Sequence, residues 1–486
     1  MQSAPPAAGT DLRSEIDAES AAVWPPRRVA LALALLALAV VFLHHRQLVQ
    51  PAVWQDDFQI LSASYRREDV RASFWQSHNE HVMPLGRLST WLLVQLAGEP
   101  PRLPVLAAWQ GVLAVLAAMA LIYWFVRKEL GEPVYGVIAA ALFGVSSQYR
   151  EAVYWFSASF AILALDTLLL GLLAAQRYIR TANVLWLAVC AGAAALAPCW
   201  FASGILAGPA CALYLVHPQS PRPVLHRLAQ AAAPLLGTAA FVLGGLLRNL
   251  DHILHLEHWQ GKTATQAFNP VVGLISTARS LVDNLLLGSF GVSGVLCPPV
   301  VVAVGLLLLA FGLVFWWGLA PARRLLAVGV ALILSSYWLI YSARAEWGYE
   351  RSATWGRYQL LSHLGLVLIV AGGLPRLAGR RWARLEVVAG LFALLLLAQL
   401  PRAYVIYEFP QQQAALQFIA DVDRHCRAEG IPADQARQAL QPLRVEGAPD
   451  DFNGWEWLRG SADGAAADPT EVRQRLPQEW LRPIDH

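Results

Sequence analysis

Long apolar runs separated by short polar segments that carry clustered charge set the pattern of this chain. The runs predict membrane spans over 29–43, 103–126, 133–147, 157–176, 183–199, 201–216, 229–247, 298–317, 325–341, 358–374 and 386–400. Several are shorter than the roughly 20 residues a bilayer core requires, so their ends must extend into the flanks. The stretch 268–297 is different. It mixes apolar residues with Arg279 and Asp283 and reads either as a span or as an interfacial helix.

Positive charge in the loops decides between the two. With about eleven spans, Arg27/Arg28, Arg127/Lys128, Arg177/Arg180, Arg222/Arg227, Arg323/Arg324 and Arg376/Arg380/Arg381/Arg384 all fall on one side, the cytoplasmic one by the positive-inside rule. Counting 268–297 as a span would move Arg323/Arg324 across, so it is placed at the interface. The loop 44–102, the loops near 149–156, 248–297 and 342–357, and the tail from 401 then share the opposite, periplasmic face.

This gives an all-α polytopic membrane protein in three parts. Residues 1–26 are polar, contain Pro5, Pro6, Pro25 and Pro26, and read as a disordered cytoplasmic N-terminus. Residues 27–400 form the transmembrane domain. No A-x-A site follows the first apolar run, so that run reads as an uncleaved span. Residues 401–486 form a small periplasmic tail, helical where Leu416, Ile419, Val422 and Cys426 keep helical spacing.

Composition sharpens the picture. The 486 residues are 56% hydrophobic and 15% charged, against roughly 25% charged in a soluble domain. A net charge of +3 points to no nucleic-acid partner. Lys128 and Lys262 are the only lysines, an arginine bias that fits a GC-rich bacterial genome; the expected location of the spans is a bacterial inner membrane. The five cysteines form no CxxC pair and read as small core residues rather than a zinc site or disulfide framework.

Chemistry concentrates in the first large loop, WQDDFQILSASYRREDVRASFWQSHNEHVMPLGRLSTWLLVQLAG. Asp56 and Asp57 are adjacent carboxylates close to a membrane surface, where they repel each other and resist desolvation. As functional groups they would serve as a general base for an acceptor hydroxyl or as ligands for a hard cation. They fit a solvated turn or a helix cap equally well. HNEH, with His78, Glu80 and His81, lacks a third zinc ligand, so His81 reads as a hydrogen-bonding or substrate-contacting group. Arg87 opens a helix-like stretch. It suits either a phosphate contact, made bidentately by guanidinium, or snorkelling at the interface.

An apolar span, a DD pair, and then Phe74, Trp75, Ser77 and His78 leading into a Pro84-Leu85 helix start resemble the opening of the GT-C membrane glycosyltransferases. The pattern is nearest to the protein O-mannosyltransferase-like enzymes and the transmembrane-and-tetratricopeptide-repeat mannosyltransferases, here without the repeats. SSQYREAVYWFSASFAILAL (146–165) is similar to the second outer hairpin of that superfamily, with Glu151 and Trp155 in the acidic and Trp places. YERSATWGRYQLLSHLGLVLIV (349–370) resembles its late RY motif, with Arg351, Arg357 and Tyr358 at the membrane edge and Ser362-His363 where relatives often have Pro-Ser.

The resemblance implies a GT-C-like bundle. It would transfer a sugar, with inversion, from a polyprenyl-phosphate-linked donor to a hydroxyl on a protein, lipid or glycan acceptor. It assigns Asp57 first and Asp56 second to the acceptor proton. Arg357, with Arg87, His81, Arg351, Glu151 and Tyr358, is assigned to substrate and lipid phosphate. A divalent cation, Mg or Mn, stays open as a cofactor, with Asp56, Asp57 and Glu151 as its ligand set. Asp166, Arg248 and Arg279 are weaker candidates, and a second DDF at 450–452 reads as chance. Two other readings fit the spans, a transporter or flippase of a lipid-linked glycan and a noncatalytic membrane scaffold. The first predicts symmetric halves or matched broken helices, and the sequence has neither.

Overall fold

A computed structural model describes residues 25–49, 67–78, 81–98, 102–146, 149–216, 223–249, 269–287, 323–345 and 356–378, with the single positions 51, 57, 60, 61, 64, 349, 352, 397, 428 and 430. The expected span 298–317, nearly all of the expected span 386–400, nearly all of the N-terminal segment and nearly all of the tail lie outside the described residues. So do Asp56, Glu80 and Arg351.

The described chain is a bundle of helices: α1 (Pro26–Leu43), α2 (His45–Val49), α3 (Arg67–Ser73), α4 (Pro84–Ala97), α5 (Leu103–Leu130), α6 (Pro133–Gly144), α7 (Glu151–Tyr154), α8 (Phe156–Thr181), α9 (Val184–Trp200), α10 (Ala207–Val216), α11 (Val224–Phe241), α12 (Pro270–Ser280), α13 (Arg323–Ala343) and α14 (Leu360–Ala378). Two short strands, β1 (Ser77–His78) and β2 (His81–Val82), form an antiparallel hairpin in the first loop, pairing His78 with His81. Among the described residues five helical segments are long and apolar enough to cross a membrane, and four shorter apolar helices accompany them. The architecture is that of an all-helical polytopic membrane protein.

The helices start where the sequence favours starting. Proline occupies the first turn of α1, α4, α5, α6 and α12, where its missing N–H has no intrahelical partner to lose. Asn183 and Asn269 cap α9 and α12 by accepting backbone N–H groups. α5 runs for 28 residues, about 42 Å at 1.5 Å per residue, and stops at Gly131, whose φ of +87° is a left-handed C-cap. α6 is 12 residues long and ends early. The Tyr149 hydroxyl donates to the carbonyls of Phe143 and Gly144 at 2.8 Å each, satisfying acceptors that the helix end leaves open.

The bundle has two chemically distinct ends. At one, Glu129 of α5 accepts from Tyr214 of α10 (2.5 Å) and Gln176 of α8 (2.8 Å) and pairs with Arg324 of α13 at 3.8 Å. Arg180 donates to the Lys128 carbonyl, and Arg227 donates to that of Val216 (2.8 Å). The structure thus gathers at one end Arg127/Lys128, Arg177/Arg180, Arg227 and Arg323/Arg324, residues that the loop charges assign to one side. The opposite end carries the first loop, α7, and the 3₁₀ turn Gly356–Tyr358 that precedes α14.

Of segment 268–297, residues 269–287 are described, and they pack against α13. α12 continues as a π-helical turn through Leu287 and packs along α13. The Asn269 N–H donates to the Ser342 carbonyl at 2.9 Å, while Leu281 and Leu285 pack with Ile333 and Tyr337. Asp283 is buried, as are its polar neighbours Ser280 and Asn284, while Arg279 is half-buried. Ser280 and Asn284 both donate to the Tyr341 hydroxyl (2.6 and 3.2 Å), and Asp283 accepts from Tyr349 at 3.1 Å. Polar side chains that satisfy one another sit inside a bundle without the cost of isolated burial.

α13 and α14 meet at Gly329 and Gly365. A Cβ built on Gly365 would lie 2.5 Å from the Gly329 carbonyl oxygen, and one on Gly329 would lie 2.6 Å from that of Gly365. Side-chain-free positions are what let two membrane helices approach this closely. Gly365→Val is therefore expected to lower stability by more than the roughly 1–3 kcal/mol of ordinary overpacking, seen as a lower unfolding temperature and reduced folded yield in detergent.

Candidate functional site

The site is built on the hairpin between α6 and α8. With its phenol anchoring the end of α6, Tyr149 fixes where the chain turns. Glu151 then opens α7, and Trp155, in extended conformation, leads into α8. Two groups from distant parts of the sequence converge on residues 151–157, and a third shares a cleft with one of them.

The first is Asp57, fully buried. Its Oδ1 accepts the N–H of Ser157 at 2.8 Å and its Oδ2 that of Phe156 at 3.3 Å. These are first-turn amides of α8, so the carboxylate sits on the positive end of that helix. The helix-cap reading of the DD loop is physically present. A carboxylate has about four lone-pair sites, so two N–H bonds fix it without exhausting it.

The second group is Arg357. Its Nη1 lies 2.6 Å from Glu151 Oε1, with both side chains about one-tenth exposed, and its backbone N–H donates to Glu151 Oε2 at 3.4 Å. The guanidinium carbon stands 4.2 Å above the Trp155 ring and 5.1 Å from that of Tyr358, within cation–π range. Burial pushes the Glu151 carboxyl above its ordinary value, and Arg357 opposes that rise.

The third group is the β-hairpin. His81 stacks on Phe201 with ring centroids 4.3 Å apart. Phe201 is the extended residue between α9 and the 3₁₀ turn Ala202–Leu206. Asn249 ties the loop down from the other side. Its Nδ2 donates to the Trp75 carbonyl at 2.6 Å, and its Oδ1 accepts from the Ser77 N–H at 3.2 Å.

A cleft of about 660 Å³, counted with its open mouth, is lined by Arg357, Tyr358, His81 and Phe201, while Asp57 and Glu151 are not among its lining residues. Leu206, Leu339, Ile340 and Leu361 form much of its apolar wall, and His81, Arg344, Arg357 and Tyr358 supply its polar atoms. An apolar cleft with a few convergent polar groups is the usual form of a ligand site. Arg344 is absent from the sequence reading. Its signal is its place in YSARAEWGYERS, between the end of α13 and the RY motif, and its guanidinium stands 5.9 Å from the Tyr358 ring.

The structure brings together Asp57, Glu151, Arg357, Tyr358 and His81. It does not bring Arg87 to the cleft. That side chain is buried in α4, its Nη2 3.5 Å from the Gln76 carbonyl oxygen, and burial lowers its pKa. Among the weaker candidates, Asp166 is buried within α8, Arg279 stacks over Tyr349 at 3.8 Å, and Arg248 is exposed. No group of three His, Cys, Asp or Glu suited to a metal ion occurs among the described residues. Glu151 faces a guanidinium and a backbone N–H, and Asp57 accepts two backbone N–H groups, while Asp56, the third member of the expected ligand set, lies outside the described residues.

No family model matches the chain, and no curated protein does. Solved structures that are similar to it include the Archaeoglobus fulgidus oligosaccharyltransferase in complex with Zn and sulfate (TM-score 0.46, 14% identity, covering 88% of this chain and 61% of that one). ArnT from Cupriavidus metallidurans, bound to undecaprenyl phosphate, is similar at a TM-score of 0.44 and 16% identity, covering 94% of this chain and 89% of that one. The chain spans about three-fifths of the length of the archaeal enzyme.

Proposed function

We propose that this chain is a GT-C-type membrane glycosyltransferase. It takes a sugar from a polyprenyl-phosphate donor and passes it, with inversion, to a hydroxyl acceptor at the periplasmic face of a bacterial inner membrane. The observation that carries the reading is the convergence of a fixed carboxylate, Asp57, and a fixed guanidinium, Arg357, on the single hairpin 151–157, at the end of the bundle opposite its basic loops.

The chemistry then divides between the two. The acceptor oxygen attacks the anomeric carbon as its proton passes to the Asp57 carboxylate. The bond from the anomeric carbon to the lipid phosphate oxygen breaks, and its electron pair leaves with the phosphate. Charge growing on that oxygen needs a preorganised positive partner. Arg357 is one such partner in the cleft wall, and Arg344, on the same cleft, is a second. The apolar wall suits the first isoprenyl units behind the phosphate. No step is assigned to a metal.

The test is complementation of a null strain by wild type and by Asp57→Asn, with glycans scored on whole-cell protein, lipid and polysaccharide. A glycan that is lost in the null, restored by wild type, and not restored by a normally expressed Asp57→Asn supports transfer and names the acceptor. Full restoration by Asp57→Asn overturns the catalytic role of the first loop and favours the transporter or scaffold reading.

A further inference from the structure

We infer that Glu151 is a positioning residue, which holds the Arg357 guanidinium in the cleft wall in the orientation that receives the donor phosphate and does not itself touch donor or acceptor. The inference rests on the donor reading above.

Arg357 lines the cleft and Glu151 does not. Glu151 stands behind the arginine and grips it at two points. Its Oε1 takes Nη1 at 2.6 Å, and its Oε2 takes the backbone N–H of the same residue at 3.4 Å. The first contact orients the guanidinium plane, whose N–H donors form a rigid fork. The second anchors the 3₁₀ turn that carries it. Four residues on, Trp155 presents its ring to the guanidinium face at 4.2 Å. Segment 151–155 therefore supplies both the anion and the aromatic platform for one cation 206 residues away.

That division of labour accounts for a carboxylate in a nearly closed site. An arginine has a long, rotamer-rich side chain, and immobilising it in advance removes part of the entropic cost of binding an anion. A carboxylate committed to a guanidinium in this way suits neither a base nor a cation ligand. This replaces the metal and substrate roles expected for Glu151 from the sequence.

The experiment uses the full-length chain in lipid nanodiscs and farnesyl phosphate, a short polyprenyl phosphate, as the probe. Binding is measured for wild type, Glu151→Gln, Glu151→Asp, Arg357→Gln and the double variant Glu151→Gln/Arg357→Gln. Glu151→Gln keeps the shape, and equal elution profiles establish that each variant is folded. Glu151→Gln is expected to weaken binding on the order of tenfold, as a misplaced contact does. Glu151→Asp, which keeps the charge, recovers part of the loss. In the Arg357→Gln background, Glu151→Gln adds nothing further, the non-additivity of two residues acting as one unit. If the two losses add, or Glu151→Gln binds as wild type does, the positioning role is overturned while the donor reading stands. If wild type itself does not bind the probe, the donor reading falls and this role falls with it.

Discussion

Asp57→Asn is expected to reduce glycan transfer by about 10²–10⁴-fold, the range a general base contributes, while the protein still accumulates in the membrane. Asparagine keeps one carbonyl acceptor, so one of the two amide bonds from the start of α8 survives. What it loses is the charge, both as a base and as a partner of the helix terminus. The second effect is worth roughly 0.3–1 kcal/mol, up to about 2 when partly buried, and is readable as a modest fall in unfolding temperature. Asp57→Ala leaves two buried amides without their acceptor and is expected to cost about 1–3 kcal/mol for each. The two variants separate the roles. An anchor alone predicts activity that tracks unfolding temperature across them, and a base predicts that both are inactive while only Asp57→Ala is strongly destabilised. Transfer measured in membranes alongside unfolding temperature distinguishes the two outcomes.

Arg357→Gln is expected to give the largest loss of stability, and to give it in a pH-dependent way. Removing one partner of a buried ion pair leaves an uncompensated charge, at a cost of about 3–5 kcal/mol. The charge left behind is Glu151, whose folded-state pKa burial already raises. A carboxyl with a raised pKa contributes stability that is complete below its unfolded value and is lost as pH rises through its folded value. Without Arg357 the rise is greater, so the gap between wild type and variant widens as pH rises above the ordinary carboxylate range. The check is the unfolding temperature of both proteins from that range upward. Glu151→Gln/Arg357→Gln, with no charge to bury, should flatten the difference. A gap that does not change with pH would assign the instability to packing instead.

Much of this was legible in the sequence, because the bilayer imposes simple rules. α5, α8 and α13 fall where hydropathy puts spans, and the loop arginines are found together at one end as charge bias requires. Asp57, Glu151 and Arg357 were legible as polar residues in loops that a lipid-facing segment would not carry. Their pairings were not. Nothing in 54–98 says that Asp57 meets Ser157, because the partner is a backbone amide and any residue supplies one. The Glu151–Arg357 pair was hidden because its members stand 206 residues apart. The internal bonds of Ser280, Asp283 and Asn284 in and after α12 were not legible either, because their partners Tyr341 and Tyr349 stand some sixty residues on.

The span of these pairings sets an order of assembly. A ribosome that has made the first loop has still to make about 100 residues before Asp57 finds the amides of Phe156 and Ser157, and about 200 more before Glu151 receives Arg357. Domains inserted from the N-terminus mature in that sequence. Until the turn before α14 emerges, Glu151 lacks the guanidinium it holds in the finished fold. On the proposed reading, a chain that stalls or is cut short before that turn lacks the cation meant to receive the donor phosphate.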